Sequence, residues 1–141
     1  MHSTQIRVMQ PTDLQQVLKV WETSPGVGMN ESDTIEHLTV FLQRNPELSL
    51  VAVDNEVIVG AVLCGHDGRR GYLHHLAVSP NYQRQGIGTQ LVERCLAALR
   101  ELQILKCSVF VHSDNEDGSV FWRSQGWRDR EDSRVMQTLI S

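Results

Sequence analysis

The chain has 141 residues, 40% of them hydrophobic, and a formal charge of -4 at pH 7. That length fits one domain able to bury a core, with 1–141 read as a single unit, and the acidic balance offers no basic field to hold nucleic acid by its phosphates. The N-terminal MHSTQIRVMQ has no basic cluster ahead of an apolar run, no stretch of about 18 apolar residues could span a bilayer, and Cys64, Cys95 and Cys107 are odd in number and set in apolar patterns. The expectation is a cytoplasmic protein with free thiols, no metal, and neither a membrane nor a nucleic-acid partner.

Along the chain, Gln5 to Met9 alternates as a short strand. Thr12, with Gln15 three residues on, has the spacing of a capping box for a helix whose apolar face is Leu14, Val17, Leu18 and Trp21. The run SPGVGMNES reads as a flexible loop. Asp33 and Glu36 repeat the cap signature ahead of Ile35, Leu38, Phe41 and Leu42, and Asn45-Pro46 ends that helix. Two β-rich segments, Leu48 to Val53 and Val57 to Gly65, are joined as a hairpin by Asp54-Asn55-Glu56. After a turn over 67–71 comes the strand Tyr72 to Val78. Alternation there sets Tyr72, His74 and Leu76 on one face and Leu73, His75 and Ala77 on the other, so that only one of the two histidines can point into a given cleft. Ile87, Leu91, Val92, Cys95, Leu96, Leu99 and Leu102 form the apolar face of a long helix. Ile104 to Val111 reads as a buried strand, Asn115 to Gln125 as a helix, and Trp127 to Ile140 has room for one or two closing strands.

Chemistry concentrates at NYQRQGIGTQLV, Asn81 to Val92. Gly86 and Gly88 precede an apolar helical pattern, where bare backbone, unpaired N–H groups and the positive end of a helix dipole suit an anion. A dinucleotide fingerprint would need a further glycine where Leu91 stands, and a Walker loop would need a lysine that Gly86-Ile87-Gly88-Thr89 lacks.

Three groups of residues carry a family likeness: Gln83-Arg84-Gln85-Gly86-Ile87-Gly88; the Leu76-Ala77-Val78 and Pro80 before it; and Asn115, Gly118, Phe121, Trp122, Gly126 and Trp127 at the spacing Asn-x-x-Ala-x-x-Phe-Tyr-x-x-x-Gly-Phe. In that order they resemble the GNAT (Gcn5-related) N-acetyltransferases, over about residues 5 to 140. The resemblance implies an α/β (α+β) fold: a mixed, mostly antiparallel sheet of six to seven strands flanked by four helices, with a splay between the fourth and fifth strands. It also implies acetyl-CoA as acyl donor, no metal, direct transfer to the primary amine of a small-molecule or peptide acceptor, and a monomer or homodimer. Gln83 and the amides from Arg84 through Gln85, Gly86, Ile87 and Gly88 to Thr89 would seat the pyrophosphate. Leu76, Ala77 and Val78 would pair with the pantetheine arm, with the Val78 N–H as oxyanion donor, and Asn115 and Phe121 would meet that arm from the late segment.

An alkyl ammonium acceptor, with a pKa of about 10.4, must lose a proton before it attacks. His74 is the first candidate for the base, since histidine titrates near neutrality and some histidine-using members of the family carry one two residues before Leu-Ala-Val. Glu22, at the end of the first helix, is the second. Trp122 stands where the family commonly has a tyrosine that protonates the departing thiolate, and an indole N–H cannot deliver that proton. Either water or another residue does so, or the chain is a non-catalytic acyl-CoA-binding or regulatory module. Glu22, Glu31 and Asp33 around the loop favour a cationic acceptor.

Overall fold

The computed structural model describes residues 4–140. Its sheet runs in the order β1 (Gln5–Val8), β2 (Leu50–Asp54), β3 (Val57–His66), β4 (Arg70–Val78) and β5 (Lys106–Val109). The first four are antiparallel neighbours; β4 and β5 are parallel. A parallel pair needs a crossover, which α3 (Ile87–Glu101) supplies. On the opposite face lie α1 (Leu14–Glu22) and α2 (Ile35–Arg44), and α4 (Glu116–Ser124) follows β5. This is the α/β architecture expected, with two cores divided by the sheet. Leu14, Val17, Trp21 and Leu38 pack on Val51 and Leu63 on one side, while Leu91, Val92, Cys95 and Leu99 pack on Cys64 and Leu73 on the other. Because helices cover both its faces, β3 reads as an almost unbroken apolar run.

The sheet has five strands among the described residues, not six to seven. Residues 127–140, expected to close it, form no strand, and all but the half-buried Trp127 are exposed. Residues 128–134 are nearly all charged, with Arg130 turned on Asp132 at 3.0 Å and Asp129 on Arg123 at 2.9 Å. The apolar residues that follow come as adjacent pairs, Val135-Met136 and Leu139-Ile140, which in a strand would face opposite ways and leave no single face to bury. The strand expected over Ile104 to Val111 is likewise shortened to Lys106–Val109.

Two predicted caps also move. The chain makes a 3-10 turn over Pro11–Asp13 before α1, and Asp13, not Thr12, organises it. The Asp13 carboxylate accepts from the Gln10 amide at 2.7 Å and from the two terminal guanidinium nitrogens of Arg7 at 2.8 Å. At α2 the N-cap is Thr34, whose hydroxyl accepts from the His37 amide at 3.1 Å, and Asp33 is released for another partner. The hairpin turn falls where expected: Asn55 and Glu56 take φ of 51° and 68°, the primed geometry that two-residue hairpins need. All three cysteines are free thiols, and burial pushes the Cys107 thiol up to about 12.

One irregularity shapes the site. Leu63 lies opposite His74, but Ala61 lies opposite Ala77, so His75 and Leu76 together face the single residue Val62. His75 takes φ 56°, a left-handed torsion that costs a non-glycine residue about 1–2 kcal/mol. The extra residue reverses the strand's parity: Leu73 joins the α3-side core and Ala77 the α1/α2-side core. The expectation that His74 and His75 point to opposite faces therefore fails. His74 shares the face of Leu63, and His75 packs against Trp21 on that same face.

The Arg7 hydrogen bonds hold the Asp13 carboxyl below the ordinary carboxylate range. A lowered folded-state value means stabilisation that is present above about pH 4 and lost as pH falls through that value. Asp13→Asn is expected to cost about 1–2 kcal/mol at pH 7, given a half-exposed arginine partner. In urea titrations the gap to wild type should close as the pH falls below the ordinary aspartate range and through the lowered folded-state value.

Candidate functional site

The pairing of β4 with β5 begins at Arg70 and Lys106 and stops at Leu73 and Val109, while β4 continues on β3 to Val78. Past the bulge, one edge of β4 is open. This is the splay expected between the fourth and fifth strands. Ser79 donates to the Val59 carbonyl at 2.7 Å, which makes Ser79 and Val59 a hydrogen-bonded pair and Val78 with Gly60 the non-bonded pair next to it. The Val78 N–H therefore turns away from β3, into the space that β5 vacates. Leu76 and Val78 side chains sit on the α3 side and Ala77 on the other.

The glycine turn leads from the end of β4 into α3. The Gln83 amide group donates to the Val78 carbonyl at 2.9 Å and that of Gln85 to the Asn81 carbonyl at 3.4 Å, so both side chains brace the turn. Arg84 and Gly86 take φ of 63° and 81°, and Gly86 caps α3 with no side chain over the helix end. Backbone amides from Arg84 to Thr89 make no hydrogen bond within the described residues. Six consecutive unpaired donors at a helix N-terminus, with the Arg84 side chain exposed beside them, form an anion seat. A Cβ at Gly86 would meet nothing within 4 Å, whereas one at Gly88 would lie 3.5 Å from Phe121 and 3.9 Å from Val78. The open end of β4, the start of α3 and Phe121 thus converge.

From the late segment, Asn115 is the N-cap of α4, its Oδ1 accepting from the Gly118 amide at 2.9 Å. Trp122 lies edge-on between Phe121 and Trp127, with ring centroids at 5.1 and 4.7 Å. Its indole is half-buried and packs with Phe121 and Trp127 against the α3-side core. The run His112-Ser113-Asp114 forms no relay: neither His112 nor Asp114 makes a side-chain hydrogen bond within the described residues, and His112 lies against Gly28.

On the α1/α2 face, Tyr72, His74 and Phe110 hold their rings nearly parallel with centroids 6.0–6.2 Å apart, and Phe41 meets His74 edge-on. Burial pulls the His74 imidazole below its ordinary range, and the adjacent His75 adds to that. His75 Nε2 bonds Asp33 Oδ2 at 3.0 Å, with only 15% and 6% of the two side chains exposed. Trp21 closes over the His75 ring at 5.0 Å, and its own buried Nε1 has no partner. Glu22, the next residue, is exposed at the end of α1. Neither the His75–Asp33 bond nor the buried Trp21 donor was foreseen from the sequence; the one hint was a second cap candidate, Thr34, directly after Asp33.

The loop over 23–34 spans the opening. Asp33 ties it to β4, and Gly26 and Gly28 lie so close to Asn115 and His112 that a Cβ on either glycine would collide with those side chains. Among the described residues, no group of His, Cys, Asp and Glu gathers to hold a metal, and no helix is long and apolar enough to cross a membrane.

A family model for the acetyltransferase (GNAT) family matches residues 14–127. An acetyltransferase of Yersinia pestis (strain Pestoides F) is 33% identical over 112 residues, which is 79% of each chain. Among solved structures, the PaiA N-acetyltransferase of Thermoplasma acidophilum in complex with coenzyme A is similar with a TM-score of 0.82 at 22% identity, over 92% of each chain. An aminoglycoside acetyltransferase from an uncultured soil metagenomic sample, in complex with sisomicin, gives 0.75 at 22% identity, over 98% of this chain and 97% of that one.

Gly26 has φ 89° and Asn115 against it. Gly26→Ala is expected to destabilise the fold by about 1–2 kcal/mol from the backbone torsion alone. Amide exchange should quicken selectively over 23–34 as the loop lifts from Asn115.

Proposed function

The chain belongs to the GNAT acetyltransferase family, and on that premise we propose that it transfers an acetyl group from acetyl-CoA directly to the primary amine of a small-molecule or peptide acceptor. The observation that carries this reading is the run of six unpaired amides into α3, beside the outward-facing Val78 N–H. A pyrophosphate satisfies the first group, with Arg84 adding a charge-assisted bond. The pantetheine amides add to the open edge of β4 as a strand would, which supplies backbone hydrogen bonds that β5 does not make. At the end of that arm the thioester oxygen meets the Val78 N–H, a donor fixed in place before the oxyanion develops. That the Thermoplasma protein of the same fold binds coenzyme A supports a coenzyme A-linked donor here.

The amine approaches from the α1/α2 face, where both histidines stand. A base there takes the ammonium proton; the nitrogen then forms its bond to the thioester carbon, and the carbon–sulfur bond breaks. The thiolate, with a free pKa of about 8.5, leaves without an acid and is protonated by water, so Trp122 at the tyrosine place is no obstacle to turnover. Glu22 and Glu31 are exposed near the loop and favour a cationic acceptor, while Asp33 is engaged with His75 and does not add to that charge.

Acetyl-CoA at a hundredfold excess over its Kd is expected to stabilise the protein by about 2.7 kcal/mol, read as a rise in Tm. Gly86→Glu should abolish that rise, because it sets a carboxylate where the pyrophosphate lies and a side chain on a positive φ; an undiminished shift in a folded variant would sink the assignment. Trp122→Tyr should leave acetyl-CoA affinity within about threefold and raise kcat only if thiolate departure limits the rate. A large loss of affinity in that variant would make the indole part of the cofactor wall instead.

A further inference from the structure

Two histidines share the acceptor face, and their surroundings differ. His74 is packed among the rings of Tyr72, Phe110 and Phe41 and makes no side-chain hydrogen bond within the described residues. His75 sits on the bulge and is held by a carboxylate. A carboxylate can only accept, so His75 must carry its proton on Nε2. In the neutral ring, Nδ1 is then the basic nitrogen, and it has no hydrogen-bond partner within the described residues.

We propose that His75 is the group that takes the acceptor's proton and that Asp33, carried on the 23–34 loop, is its positioning residue. The proposal rests on the acetyl-transfer reading above. In the reaction the ammonium gives one proton to His75 Nδ1, the freed nitrogen lone pair attacks the thioester carbon, and the imidazolium is stabilised by Asp33 until the proton passes to solvent. When the tetrahedral intermediate collapses, the electrons of the carbon–sulfur bond leave with sulfur. A second amine proton then neutralises the thiolate by way of water, and the product amide keeps the third.

Three features support His75 over His74. First, the bulge keeps a left-handed torsion on a residue that is not glycine, and such strain persists only where the surroundings enforce it; here Trp21 and Asp33 do so. Second, the residue lies two positions past Leu73, where β5 departs, and three before Val78, whose N–H faces the opening. Third, Trp21 carries one of the two buried, unpartnered side-chain polar groups among the described residues, and it lies against this ring. The titratable surroundings are sparse. β3 presents Ala61 and Leu63 to this face, α1 presents Trp21 with Glu22 exposed beyond it, α2 presents Phe41 to His74 with Glu36 and His37 exposed, and His74 is the neighbour along β4. Asp33 is the one carboxylate in contact with the ring among the described residues.

The placement has a consequence for the loop. Its Asp33 end forms half of the base, and its Gly26 and Gly28 lie on the far lip of the opening. The base is therefore complete only when the loop lies across the cleft, so acceptor capture and proton acceptance are coupled.

The test combines kinetics with a spectroscopic readout on the full chain. His75→Gln should lower kcat/KM at pH 7 by about 100-fold or more and remove the ascending acid limb of its pH profile, whereas His74→Gln should keep the limb. Asp33→Asn should reduce kcat/KM about tenfold, through kcat and with KM little changed, because the ring is no longer oriented; Asp33→Glu should restore part of that loss. Acetyl-CoA affinity, followed by thermal shift, should stay within about twofold in every variant. Nitrogen-15 shifts of the imidazole should report the Nε2–H tautomer for His75 in the wild type without any ligand and lose it in Asp33→Asn. A limb that survives in His75→Gln, or an Nδ1–H tautomer in the wild type, overturns the proposal. Should the wild type bind no acetyl-CoA and release no thiol, the acetyl-transfer reading and with it the proton-acceptor role fall together, while the tautomer still shows whether Asp33 sets the ring.

Discussion

The bulge at His75 is the constraint on which the site depends. One extra residue between the partners of Ala61 and Leu63 changes the strand's twist and parity together. Pairing with β5 ends just before it and the backbone beyond is left with an open edge. An open edge inside a sheet is costly unless something else fills it, because each unpaired buried amide forfeits about 1–3 kcal/mol. The chain tolerates that cost at one place, next to a second set of unpaired amides at the start of α3. Two groups of unsatisfied donors, side by side and both fixed by secondary structure, fit the long, amide-bearing ligand, anionic at one end, that the proposed function requires.

Much of this was legible in the sequence. The glycine turn was readable because Gly86 and Gly88 interrupt a polar run just before a clear helical period, and no lysine or third glycine points to a nucleotide instead. The two amphipathic helices Leu14–Glu22 and Ile87–Glu101 were readable from their apolar faces, which are buried or half-buried except at Leu102, exposed just past the end of α3. The face assignment of the histidines was not. Alternation is a sound rule for a regular strand, and nothing in Tyr72-Leu73-His74-His75-Leu76 announces a bulge; histidine tolerates φ > 0 better than a β-branched residue, but that is permission and not a signal. The partner of His75 was hidden for a related reason. Asp33 and Thr34 are both good N-caps, and only the helix phase selects Thr34.

The closing strands show the opposite failure, in which composition was weighed without its period. Val135, Met136, Leu139 and Ile140 are strand-forming types, but their pairing in sequence gives no one-sided face, and the charged run before them favours local ion pairs over a core. Propensity alone does not place a strand without a surface for it to cover.

The sheet itself divides the chemistry. Donors for the proposed acyl carrier lie on the α3 side and along the open edge of β4, while the rings and carboxylates that would meet an amine lie on the α1/α2 side. In a regular sheet these two sets would be separated by a closed ladder, and a molecule on one face could not reach a group on the other. The splay removes part of that ladder between Leu73 and Val78, so a thioester in the plane of the sheet is exposed to both. The proposed direct transfer relies on that opening: the amine nitrogen would reach the thioester carbon from the α1/α2 side, where a base takes its proton, while the acyl carrier lies along the open edge of β4. On the proposed function, the 23–34 loop, which contacts Asn115, His112 and His75 across the opening, would be the element that screens the incoming amine.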